Sequence, residues 1–564
     1  MNRRVFALAL ALVVASLSLQ AGSAPARART GMVVSQNGLA SDVGWQVIRG
    51  GGNAVDAAVA TAFALAVTHP TAGNIGGGGF LLYRAANGEA TSYDFREAAP
   101  AGANAEMWLK DGKYDFDLHH NSHRSVGVPG TVAGLHLAWK EQGSKPWKDL
   151  IAPAVTLARD GFEVSHGLAR SLASVIEDPN AFPKYPASMA QFSKNGKPYE
   201  PGDILKQPDL ARTLERIADQ GPAGFYEGET AALVEKEMKA HGGLITRDDL
   251  KKYQAKKRAV IKGTYRGYEL IGMAPPSSGG IAVVTSLNIL EGYDLKANGY
   301  GSAKNIHLIA ESMRRAFADR AQYLGDPDFV TNMPVARLIS KEYGETLRKT
   351  INPNKASMSS PTSFTWPTES QETTHFSVVD AKRNTVAMTY TLEYSYGSRI
   401  VVPGAGFLLN NEMGDFNAGP GLTDDQGLIG TPPNLAQVGK RMLSSMSPTI
   451  VVKDGQVFMV TGTPGSRSII NTVIMTLLNV IDFGMNAQEA VDAGRIHHQW
   501  LPDRLSVERF GFSADTIASL KAMGHDVRET GAQGAAEVIV FNQKDNMLEG
   551  GVDRRAPDGG AAGR

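Results

Sequence analysis

Two hairpins in the last third of the chain constrain its fold more than any other feature. "THFSVVD-AKRN-TVAMTYTL" (374–392) has two runs rich in Val, Thr, Phe and Tyr around a polar turn at Lys382-Arg383, the pattern of antiparallel strands. "SMSPTIVV-KDG-QVFMVTGTPG" (445–465) repeats it with a turn at Lys453–Gly455. A regular register places Thr391 across from Thr373 and brings Ser444 and Ser445 beside Gly465. The following "SRSIINTVIMTLLNVI" reads as a helix. Gly465 and Ser466 therefore fall at a strand-to-helix junction, where backbone N–H groups point outward.

Before the first hairpin, residues 351–372 are rich in Ser, Thr and Pro without periodicity, an exposed linker ending at Thr373. Upstream, "GGGNAVDAAVATAFALAVTHP" predicts an Ala-rich helix capped by Asn53 and ended by Pro70. Residues 305–324 carry Ile306, Ile309, Met313 and Phe317 at helical spacing. "NIGGGGF" (74–80) runs into a strand rather than a helix, so it reads as close backbone approach in the core, not a phosphate cradle.

A basic start (Arg3, Arg4), an apolar run from Val5 to Leu19 and then small residues form a secretory signal, with cleavage after Ala21, Ala24 or Ala28. The run is short for a membrane span, so no stable anchor is expected and the mature protein is expected in the periplasm or medium. The chain has no cysteine, hence no disulfide and no thiolate nucleophile. Its 57 basic and 57 acidic residues balance, which gives no general attraction for nucleic acid. Any charged small-molecule substrate must be held by individually placed groups.

No G-x-S-x-G elbow, Walker loop, H-E-x-x-H or dinucleotide fingerprint is present. "LHHNSH" (118–123) offers His119, His120 and His123 without a further ligand and reads as a polar loop; "HHQW" (497–500) reads as structural. No metal or organic cofactor is expected. The remaining signal is Thr373, behind a linker, with a partner hydroxyl and a backbone anion site nearby. A threonine hydroxyl needs an adjacent base, and the α-amine of an N-terminal Thr, with a pKa of about 7.7–8.0, is one. For Thr373 that requires cleavage of the Glu372–Thr373 bond.

From about Gly31 to near the C-terminus the chain resembles the γ-glutamyltranspeptidase family of N-terminal-nucleophile hydrolases. The matching pieces run in order: "GGGNAVDAAVA", "NIGGGGF", "DFREAAP", "GVPGTVAGL", "PPSSGG", "YLGDPDFV", "ETTHFSVVD", "LLNNEMGDF", "LSSMSPT", "GTPGSRSIIN" and "RIHHQWLPD". The resemblance implies a mixed α/β, four-layer αββα sandwich with two stacked central sheets. It also implies a precursor that cuts itself into a large subunit (29–372, after a signal peptide at 1–28) and a small catalytic subunit (373–564), intertwined as one domain.

By the same resemblance, Thr373 is the nucleophile, first on the Glu372 carbonyl and then on the γ-carbonyl of glutathione or a related amide. Thr391 hydrogen-bonds to it, and the N–H groups of Gly465 and Ser466 form the oxyanion hole. Arg96, with Ser444 and Ser445, takes the glutamyl α-carboxylate. Asp415, with Glu393 and Glu412, takes the α-ammonium. Water or an amino-acid or peptide amine then accepts the acyl group. Three positions depart from some members: Glu393 stands for Asn, Ser466 for Gly, and Gln426 lies where a gating Tyr is found, in a loop after Asp415 without aromatics. The alternatives are a cephalosporin or glutaryl acylase of the same superfamily and a non-catalytic extracytoplasmic binding protein.

Overall fold

The computed structural model describes residues 23–359, 373–422 and 430–564. Residues 1–22, Glu372 and Gln426, and with them most of the signal segment, the upstream side of the expected cut and the middle of the loop after Asp415, lie outside the described residues.

Two seven-stranded sheets form the centre. One runs in the order Ala26–Ala28, Met547–Val552, Glu537–Asn542, Gln456–Gly462, Thr449–Lys453, Tyr268–Gly272, Ile261–Tyr265. The other runs Gly560–Gly563, Met32–Ser35, Thr374–Val379, Thr385–Thr391, Gly78–Arg84, Ala90–Asp94, Lys256–Arg258. Neighbouring strands in both sheets are antiparallel.

Side-chain alternation explains the stacking. Met32, Val34, Leu82, Val379 and Ala387 point from the second sheet into a core shared with Ile271, Ile450, Val460 and Ile539 of the first. Their neighbours Val33, Leu81, Phe376, Val378 and Met388 face the other way, onto helices that include Ala54–Thr68 and Thr131–Gln142, with Trp147–Asp160 packed behind Ala54–Thr68. On the far side, Leu270, Val451 and Met459 pack on Gly279–Leu290 and Ser468–Ile481, with Ala303–Tyr323 packed against Gly279–Leu290. Strands apolar on both faces must be covered on both faces, and the result is the four-layer αββα sandwich.

The first hairpin has the predicted register; the second turns where expected but carries a one-residue shift between Val451 and Val452. Thr374 pairs with Tyr390 and Val379 with Thr385, so the next step sets Thr373 opposite Thr391. In the second hairpin Lys453 pairs with Gln456 across Asp454-Gly455, both at positive φ. The capping box Asn53–Asp56 starts a helix so deeply placed that all of Ala54–Thr68 is buried. The glycines of "NIGGGGF" make close approach possible: a Cβ on Gly76, Gly77 or Gly79 would lie within 2.4 Å of the carbonyl oxygens of Leu408, Thr391 or Thr389. Among the described residues, no helix is long and apolar enough to cross a membrane.

Candidate active site

Thr373 emerges at the end of a central strand, buried with 5% of its surface exposed. Its hydroxyl donates to the Thr391 hydroxyl over 3.3 Å, and Thr391 in turn accepts from the Glu393 backbone N–H at 2.9 Å. Thr391 is fixed from behind as well, since the Asn74 side chain donates to its carbonyl at 2.9 Å.

One small cavity, about 20 Å³, is lined by Thr373, Thr391, Arg96, Glu393, Glu412, Asp415, Ser444, Ser445 and Ser466. Of the described residues singled out in the sequence, only Gly465 is outside it. Gly465 lines the adjoining cavity of about 130 Å³, which Ser466 also borders. The two residues form the turn into the helix Ser468–Ile481 at φ +127° and +52°. A non-glycine residue in the left-handed region costs about 1–2 kcal/mol, so Ser466 is held there by its surroundings. At Gly465 a side chain has no room, because a Cβ would sit 2.6 Å from the Ser468 hydroxyl.

Arg96 is fully buried and central to the charge balance. Its guanidinium pairs with Glu412 on one arm and Asp415 on the other, lies 3.7 Å from Glu97, and donates through Nε to the Met442 carbonyl at 3.3 Å. Burial opposes the charge on Arg96, but the three carboxylates outweigh it and hold its pKa above the ordinary value. Burial pushes the Glu97 carboxyl up to about 8 against the lowering pull of Arg96, and raises Glu412 well above its usual range. One buried cation among three acids is a site short of positive charge.

Glu393 sits at φ +77°, which turns its side chain back toward His120, whose Nδ1 is 3.3 Å from Glu393 Oε1. His120 stacks on Tyr394, and Gly414 leaves the space both need: a Cβ there would lie 2.4 Å from His120 Nδ1 and 2.6 Å from the Glu393 carboxylate. Ser445 accepts a hydrogen bond of 3.0 Å from Arg320, itself buried and bonded to Ser278 at 2.7 Å. Ser278 also donates, through N–H and hydroxyl, to the Ser444 carbonyl.

Glu97, Ser278 and Arg320 were not singled out by sequence reasoning, and His120 was read only as part of a polar loop. Glu97 and Ser278 lie inside quoted motifs, "DFREAAP" and "PPSSGG", which was the available signal. Arg320 carried none, and nothing tied His120 to Glu393, because their partners are remote in the chain. His119 bonds to Tyr114 and the Met413 carbonyl, His497 bonds to Gln499, and His498 accepts from the Trp500 N–H, so these histidines have structural work.

A four-layer αββα sandwich whose central strand ends on paired threonine hydroxyls, with a turn of backbone amides beside them, is the arrangement of the N-terminal-nucleophile hydrolases. The gamma-glutamyltranspeptidase family model matches residues 40–563, and the chain belongs to that family. It is 48% identical over 543 residues to the glutathione hydrolase proenzyme of Escherichia coli K12, covering 96% of this chain and 93% of that one. The crystal structure of cephalosporin acylase from Bacillus halodurans superposes with a TM-score of 0.83 at 26% identity, over 97% of this chain and 98% of that one. A chain of gamma-glutamyltranspeptidase from Helicobacter pylori is 48% identical with a TM-score of 0.55, over 57% of this chain and 91% of that one.

Proposed function

We propose that this chain is a proenzyme that cuts its own Glu372–Thr373 bond and then works as a γ-glutamyltransferase and glutathione hydrolase. The observation that carries the reading is the shared cavity, in which Thr373 and Thr391 face one arginine and a set of carboxylates. A glutamyl head is a zwitterion and needs both signs of charge at fixed separation.

In maturation the Thr373 hydroxyl attacks the Glu372 carbonyl carbon. The C–N bond breaks, the acyl group passes to Oγ, and water hydrolyses the ester. The products are a Glu372 carboxylate and a Thr373 α-amine, which serves as base afterwards. In turnover Thr373 attacks the γ-carbonyl of glutathione, and the Gly465 and Ser466 amides take the developing oxyanion, an interaction worth on the order of 3 kcal/mol per donor elsewhere. The leaving amine departs protonated, and water or an amino-acid or peptide amine resolves the γ-glutamyl ester.

Substrate entry is an exchange of partners. Arg96 is held by Glu412 and Asp415 in the cavity. The α-carboxylate takes over the Arg96 fork, supported by Ser444 and Ser445, while the α-ammonium goes to Asp415, Glu412 and Glu393. No buried ion is left without an opposite charge, which would cost several kcal/mol. A glutaryl group brings the carboxylate without the ammonium, so the acid cluster favours γ-glutamyl over the acylase alternative. Comparing turnover of γ-glutamyl and glutaryl anilides tests this: equal rates would refute it.

The division at Glu372–Thr373 into a large and a small subunit, and export through the N-terminal signal, belong to the same proposal. Ala26–Ala28 pairs with Leu548–Gly550 at a sheet edge, and Ala28 is buried. That supports signal cleavage after Ala21 or Ala24 over Ala28, which would strip this strand.

A further inference from the structure

Away from the catalytic cavity, the helix Gly228–His241 ends with Glu237 and His241 one turn apart on one face. His123, from the turn after residues 116–120, lies against that face. His123 Nε2 is 3.0 Å from Glu237 Oε1, and His241 Nε2 is 3.5 Å from the same oxygen. The ligand atoms of all three lie within 4.8 Å of one another. We propose that His123, Glu237 and His241 form a binding site for a divalent transition metal of the zinc class, which clips this helix end to the 116–125 segment.

Tetrahedral zinc with bonds of about 2.0–2.1 Å sets its ligand atoms roughly 3.3 Å apart, so two of the three separations already suit an ion. The two imidazoles stack with centroids 4.7 Å apart and planes 22° apart, so the exposed His241 ring must turn for both nitrogens to face one ion. His123 is nearly buried, and Gly243 permits its approach: a Cβ there would meet His123 Cβ at 3.1 Å. The ion would lie at the carbonyl end of the helix, where its dipole favours positive charge. His241 is about half exposed, which leaves an entry path and room for water as fourth ligand.

Among the described residues a second histidine and carboxylate cluster, His307, Glu311 and His525, lacks this character. Its Glu311 is already bound by Arg314 at 3.1 Å and Arg315 at 2.7 Å, cations that repel a metal.

The test uses untagged, chelator-treated mature protein. Calorimetric titration with Zn2+ is expected to give one equivalent per chain and a higher Tm, and Co2+ to give the visible absorption of a tetrahedral site. His241→Ala is expected to weaken binding by at least the roughly 10–100-fold that even outer-shell partners cost, and to abolish the Tm rise and the Co2+ band. Because His241 is exposed, that variant should fold and keep its basal turnover. Glu237→Gln should weaken binding similarly. Zn2+ binding unchanged in both variants, or absent from the unaltered protein, overturns the proposal.

Discussion

The hydroxyl oxygens of Thr373 and Thr391 lie 3.3 Å apart across the end of a central hairpin, and the Glu393 N–H caps the second of them at 2.9 Å. Thr391 is therefore oriented by the backbone before any substrate arrives.

Removing the first hydroxyl should stop maturation. Thr373→Ala is expected as one full-length band on a denaturing gel, against two bands for the unaltered protein. Thr391→Val should mature slowly and lose about 1–3 kcal/mol of transition-state stabilisation, roughly 5- to 150-fold in kcat. Two bands from Thr373→Ala would disprove self-cleavage at this residue.

Arg96 neutralises buried acids and is proposed to receive the substrate carboxylate. Arg96→Ala leaves Glu412 and Asp415 without their cation, an effect of about 3–5 kcal/mol. Turnover of a γ-glutamyl anilide should fall roughly a hundred-fold or more, chiefly through KM, while processing into two chains continues. Arg96→Lys should rescue little, because an ammonium cannot reproduce the fork that spans two carboxylates. An unchanged KM would remove Arg96 from substrate binding.

The Gly465–Ser466 turn predicts opposite outcomes for neighbouring residues. Ser466→Gly relieves an L-residue at φ +52° and keeps the amide, so turnover should persist with a small gain in Tm. Gly465→Ala adds a Cβ 2.6 Å from the Ser468 hydroxyl at φ +127°, and should lower kcat strongly. Steady-state kinetics and calorimetry on both variants decide the matter.

Buried histidines set the acid limit. Burial lowers His375 and His525 to about 3, and His69, His497 and His498 to about 4. A depressed folded pKa means the unfolded chain takes up protons first as pH falls. Stability from these groups is complete above about pH 6.5 and is lost progressively from there down to pH 3–4, at up to about 1.4 kcal/mol per pH unit for each histidine. The Tm measured from pH 7.5 to 4.5 should fall steeply at the acid end. A flat profile would contradict the burial of these rings.

N-terminal sequencing of the exported protein should find the mature chain starting at or before Pro25, with Ala26–Ala28 retained in its sheet. A start at Arg29 would show that this edge strand is dispensable.

The parts readable in the sequence were those encoded by local pattern. Alternation and turn residues marked both hairpins, and their register alone placed Thr391 opposite Thr373 and Ser444-Ser445 near Gly465. Arg96, Glu412 and Asp415 came from motif resemblance, which assigned them to separate ends of a substrate. The structure adds that they pair with one another. Arg320 behind Ser445, His120 against Glu393 and the metal-like trio His123, Glu237 and His241 were illegible for a common reason. Each depends on a tertiary contact between distant segments, and a single charged residue on a helix looks the same whether it supports a site or faces water.

The placement of Thr374–Val379 and Thr385–Thr391 between Met32–Ser35 and Gly78–Arg84 also decides what the proposed cut can do. Scission frees no fragment, since the downstream piece is woven through the middle of the upstream one. It does change the way back from denaturation: an uncut precursor can refold by itself, whereas a severed one must find its other half in solution. Lifetime of the working enzyme then rests on how slowly it opens, and dilution after melting should leave it inactive where the intact Thr373→Ala chain recovers its structure.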